Sequence, residues 1–186
     1  MGSGCLNLSN QPKDKYMKRT IIVITILVAG VLASVRADEG GGSSGSKFFN
    51  LSLVPDVAIH NKDTRINGIA LSIWGENPQS AFAWGFVNGS SGNSSGFSLG
   101  LMNYSQTYKG VEWGFVNYSS ELFVGWQNGM VNVGKEVHGL QWGAFNYADS
   151  LKGVQVGLIN IVNQNPWFKE FPDKLAKGFV FVNWSF

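Results

Sequence analysis

Apolar side chains alternate with small or polar ones in short runs that recur through the second half of the chain. The clearest runs are Gly110-Val-Glu-Trp-Gly-Phe-Val-Asn-Tyr118, Gly139-Leu-Gln-Trp-Gly-Ala-Phe-Asn-Tyr147 and Gly153-Val-Gln-Val-Gly-Leu-Ile-Asn-Ile161. Weaker copies start at 81, 96 and 125, with a degenerate one at 68, so the period is about fourteen residues. That length suits one strand and one turn, and is too short for a helix pair or a propeller blade. On a strand, successive side chains point to opposite faces. One face then carries Phe82, Trp84 and Phe86, and later Val111, Trp113 and Phe115; the other carries Glu112, Gly114 and Val116, with Gln127, Gln141 and Gln155 in the later copies. The polar stretches 90–95, 105–109, 132–136 and 148–152 read as the turns between strands.

Two all-β architectures accommodate this pattern. The expectation is an antiparallel up-and-down barrel of about 8–10 strands, with the bulky apolar face towards lipid and the glycine and glutamine face inside. The alternative is a β-solenoid, in which each unit is one coil and Asn88, Asn103, Asn117, Asn132, Asn146 and Asn160 stack as a ladder. Volume favours the barrel, because a fourteen-residue coil has an interior too thin for three rows of Trp, Phe and Leu. Turned outwards in water, the same face is a larger apolar patch than soluble monomers show. The strand count, by contrast, is odd. Segments 47–59, 66–75, six units over 80–162, and 177–186 make nine strands, whereas bacterial barrels have an even number, which makes 167–171 a candidate tenth.

The segment before the repeats alters the apparent charge. Met17 is followed by Lys18 and Arg19, a mostly apolar stretch over 21–32, and the small-residue site Val35-Arg36-Ala37, the layout of a secretory signal peptide over 17–37. Its twelve apolar-region residues fall short of the roughly 20 that a spanning helix requires. Residues 1–16 are then an upstream prefix, 38–46 a Gly/Ser linker and 47–186 one repeat β-domain. After cleavage at Ala37, nine basic and eleven acidic residues remain, a net charge of −2, so no basic nucleic-acid footprint survives. Cys5, the one cysteine, lies in the prefix, which leaves the exported part without a disulfide framework.

The final stretch, Gly178-Phe-Val-Phe-Val-Asn-Trp-Ser-Phe186, ends on phenylalanine with Val180, Val182 and Trp184 at alternate positions. It resembles the terminal strand by which bacterial outer-membrane barrels are recognised for insertion. The Gly-x-Gln-x-Gly-x-x-Asn phrase, with the opening Leu51-Ser-Leu-Val-Pro55 and the closing Asn183-Trp-Ser-Phe186, resembles the leptospiral-type surface-repeat proteins of bacteria over roughly 51–186. That resemblance implies an exported, surface-associated protein without established catalytic residues. Its expected partners are outer-membrane lipid, or a surface or host molecule.

Candidate chemistry is sparse. Two isolated histidines, His60 and His138, and no cysteine in the exported part argue against a zinc site. A lipid-modifying rim site could be assembled only from His138, Ser119 or Ser120, and Glu121 or Glu136, with no nucleophile-elbow, phosphate-loop or paired-acid motif behind it. Glu112, Gln127, Gln141 and Gln155 either line a ligand channel or satisfy one another inside the sheet, and the need to pair buried polar groups favours the second. The sequence therefore assigns no catalytic, cofactor or metal residue, and expects a non-enzymatic surface protein whose alternatives are a soluble solenoid binding module and, distantly, the rim enzyme. Tyr104, Tyr118 and Tyr147 end their units, and strict alternation puts them on the interior face unless a bulge intervenes.

Overall fold

The computed structural model describes residues 45–164 and 178–186, which belong to one unit, 41–186. The proposed prefix, signal peptide and nearly all of the linker, and the candidate strand at 167–171, lie outside the described residues. Nine strands follow in order: β1 (Lys47–Val54), β2 (Val57–Ala58), β3 (Ile66–Asn77), β4 (Ser80–Leu99), β5 (Met102–Trp113), β6 (Val116–Asn128), β7 (Val131–Trp142), β8 (Phe145–Gln164) and β9 (Gly178–Ser185).

The sheet runs linearly as β2-β1-β3-β4-β5-β6-β7-β8-β9 and does not close on itself. Every neighbouring pair from β1–β3 to β7–β8 is parallel, and only the end pairs β1–β2 and β8–β9 are antiparallel. The expected antiparallel barrel is thus corrected to its alternative, a β-solenoid of about six turns. Parallel strands ordinarily need a long crossover. Here each coil is its own crossover, so Gly96, Gly110, Gly125, Gly139 and Gly153 stack in register.

The bends also fall elsewhere than alternation suggests. Strand pairing continues through 105–109 and 148–152, with local register shifts in the equivalent stretches of three coil pairs. The chain bends instead at Gly100-Leu101, Gly114-Phe115, Gly129-Met130 and Gly143-Ala144, in what reads as mid-strand. Glycine is required there because a Cβ on Gly114 would sit 2.7 Å from both the Asn103 amide nitrogen and the Gly100 carbonyl oxygen. The bend resets the alternation: Glu112 points in, Trp113 and Phe115 point out, Val116 is half-buried, and Asn117 points in again.

The interior is therefore thin and mostly polar. Asn88, Asn103, Asn117, Asn132, Asn146 and Asn160 form a continuous ladder in which each amide nitrogen donates to the next side-chain oxygen at 2.7–3.0 Å. At Asn88, Asn117, Asn132 and Asn146 the nitrogen also donates to the main-chain carbonyl that precedes the next coil's glycine bend. A second ladder runs from Gln155 through Gln141 and Gln127 to Glu112 at 2.7–2.9 Å. The main apolar cluster of the core is the row Tyr108, Phe123, Val137 and Leu151, joined by Ala148 and Val162. The Tyr108 and Phe123 rings stack with centroids 6.2 Å apart. The volume argument for a barrel fails because the Trp, Phe and Leu rows never enter the coil.

Candidate interaction surface

Outside, side chains stack into rows because the coils are in register. A tryptophan row runs Leu71, Trp84, Leu99, Trp113, Asn128, Trp142, Val156, Val182. A bend row runs Phe86, Leu101, Phe115, Met130, Ala144, Leu158. Between these two rows lies a furrow floored by the bend glycines, with stretches of about 570 and 600 Å³ near its two ends. Past the bend come Met102, Val116, Val131, Phe145 and Ile159, and then Tyr104, Tyr118, Val133 and Tyr147.

These rows are exposed to a degree unusual for large apolar groups: Trp84 is 57% accessible, Phe86 58%, Leu101 60% and Leu158 60%. Charge is segregated from them. Between 81 and 164 the side-chain charges are Lys109, Glu112, Glu121, Lys135, Glu136, Asp149 and Lys152, and all except the buried Glu112 lie along the coil edge opposite the glycine bend in sequence. The tyrosines point outwards, with Tyr118 exposed, because the bend shifts their parity. Tyr104 is held by Trp74, whose indole nitrogen donates to its hydroxyl at 3.1 Å, and it donates to the Glu76 carboxylate at 2.7 Å. Burial, offset in part by the Trp74 bond and reinforced by Glu76, pushes its phenol up to about 12.

Of the residues of the imagined rim enzyme, His138 and Glu136 meet, while the serine hydroxyls bond elsewhere. Ser119 is buried, bonded to Ser105 at 2.9 Å, and Ser120 donates to the Ser105 carbonyl. Glu121 accepts from Thr107, while His138 lies 2.9 Å from Glu136 at the solvated edge. No group of three or more His, Cys, Asp or Glu that could hold a metal occurs among the described residues. The glutamine row is a fully buried interior ladder whose members bond to one another.

Glu112 is the chemical exception inside the coil. It occupies a glutamine position, faces Ser98 and Gln127 in the adjacent rungs, and accepts from Gln127 Nε2 at 2.9 Å and more weakly from Ser119. Burial pushes its carboxyl up to about 7, against the pull of hydrogen bonds from Gln127, Ser105 and Ser119.

Comparison with known proteins finds no matching family model, no matching curated protein and no matching solved structure. Sequence reasoning missed the inward row Tyr108, Phe123, Val137, Leu151, although an apolar residue every fourteen or fifteen positions within otherwise polar stretches was its signal. It also missed the stacked exterior rows, which exist only once the units are parallel and in register.

Proposed function

We propose that this chain is a non-enzymatic, exported bacterial surface protein that lies against outer-membrane lipid through the face past the glycine bend. The observation that carries the reading is the segregation of surface chemistry. Met102, Val116, Val131, Phe145 and Ile159 form one apolar strip, the outward tyrosines border it, and Lys109, Lys135 and Lys152 sit on the polar edge beyond. Tyrosine at the margin of an apolar strip suits a headgroup boundary. Each half-exposed apolar side chain transferred into lipid contributes about 1 kcal/mol, so five in one strip suffice for reversible adsorption. Among the described residues no helix is long and apolar enough to cross a membrane, and adsorption by a sheet face requires none. The leader-like segment and the resemblance of the Gly-x-Gln-x-Gly-x-x-Asn phrase to bacterial surface repeats supply the exported setting.

Flotation with phosphatidylethanolamine/phosphatidylglycerol vesicles tests the reading. The exported chain is expected to float with the vesicles, and Val131→Glu with Ile159→Glu to leave most of it at the bottom of the gradient. Recovery of the unaltered chain wholly in the lipid-free fraction sinks the lipid reading.

A further inference from the structure

The tryptophan row has an internal order that lipid adsorption does not use. Along the solenoid axis its central six positions read large, small, large, small, large, small (Trp84, Leu99, Trp113, Asn128, Trp142, Val156), flanked by Leu71 on β3 and Val182 on β9. The three tryptophans stand proud, at 57%, 47% and 54% exposure, while the residue that follows each on the next rung is less exposed. With rungs about 4.8 Å apart, each tryptophan is followed one rung on by a smaller side chain in its row, and the Trp113 ring packs against Trp126 of the neighbouring row at 6.1 Å.

This order is antisymmetric about the midpoint between Trp113 and Asn128. Reversing the row places every tryptophan opposite a smaller residue: Trp84 meets Val156, Trp142 meets Leu99, and Trp113 meets Asn128. We propose that this face binds a second copy of the chain, antiparallel, about a twofold axis lying in the interface, perpendicular to the solenoid axis and between the Trp113 and Asn128 rungs. A twofold axis along the solenoid would instead set tryptophan against tryptophan. The bend row obeys the same operation, matching Phe86 with Leu158, Leu101 with Ala144, and Phe115 with Met130. An isologous contact of this kind closes on itself and stops at two copies.

The area is sufficient. Trp84, Trp113, Trp142, Phe86, Leu101, Phe115, Met130 and Leu158 are each about half-exposed. At about 100 Å² apiece they offer roughly 800 Å² per copy, the amount a standard stable interface buries on each partner. Tryptophan knobs seated in desolvated slots are also the side chains that most often dominate such interfaces. The central pair adds a polar match, because an indole N–H can donate to the Asn128 side-chain oxygen. The strip proposed for lipid lies past the bend, so the two readings fail separately.

The test measures mass in solution, without lipid or detergent, by sedimentation of the exported chain. The unaltered chain is expected to run at twice its sequence mass. Asn128→Trp alone sets two tryptophans against each other at the axis and should weaken pairing by at least about tenfold. Adding Trp113→Asn restores large against small, and the double variant should pair again. The exchange Leu99→Trp with Trp142→Leu is an independent version in which the first substitution alone breaks pairing and the second rescues it, so poor folding of one set leaves the other decisive. A monomeric unaltered chain, including one that associates only with vesicles, overturns the proposal, as does pairing in Asn128→Trp equal to the original or a failure of both folded double variants to rescue.

Discussion

Asn117 is satisfied on both sides by its own kind: it accepts from Asn103 at 2.8 Å and donates to Asn132 at 2.8 Å and to the Asn128 carbonyl at 3.0 Å. Asn117→Ala strands a buried donor on Asn103 and a buried acceptor on Asn132. Each unsatisfied group costs about 1–3 kcal/mol, so urea denaturation should show a loss of several kcal/mol, whereas an exposed asparagine such as Asn163 should tolerate alanine with little change. Glu112 makes a second prediction at this scale. Its carboxyl titrates at about 7 when folded and near 4.5 when unfolded. Below pH 4.5 both forms are protonated and the group adds no folding penalty. Between pH 4.5 and 7 the unfolded chain ionises while the folded one retains its proton, so stability falls, and above pH 7 the penalty levels off at about 3 kcal/mol. Glu112→Gln completes the ladder without a charge. Thermal melts should show the variant more stable than the original at pH 8, with the difference shrinking towards pH 4.5; a difference that does not change with pH contradicts this.

At the scale of the coil, the rungs depend on glycine at the head of each unit. Gly125 has φ 136°, and a Cβ there would run into the Gly110 carbonyl of the adjacent rung. Gly125→Ala should therefore lower the melting temperature far more than alanine at Gly178, where the nearest atoms are 3.6 Å away or farther. The repeat length, the asparagine ladder, and the inward set of Glu112, Gln127, Gln141 and Gln155 were all legible in the sequence. Parallel pairing was not, because alternation of faces is the same for parallel and antiparallel neighbours. Gly114 was visible as a mid-unit glycine, yet its role as a bend depends on the closeness of Asn103 across a rung. Val116 was assigned to the wrong face for the same reason: a bend resets parity, and strict alternation cannot register it. The candidate surface was legible as an apolar face, while the order of its tryptophans acquires meaning only when Trp113 lies beside Asn128.

For the whole molecule, the coil inverts the usual arrangement, with amide ladders within and aromatic rows without. Stability rests on hydrogen bonds repeated from rung to rung, and the outer rows are left exposed on both sides of the bend, the two faces proposed for lipid and for a second copy. Ladders and outer rows alike depend on parallel stacking in register. Distances between spin labels at Lys109→Cys and Lys152→Cys, in a Cys5→Ser background, test it most directly. The two positions belong to one registered series, Lys109, Val124, His138 and Lys152, three rungs from end to end. The solenoid predicts backbone positions about 14 Å apart, on the same polar edge. A separation of roughly 25 Å or more, as expected for opposite rims of an antiparallel barrel, would contradict the account.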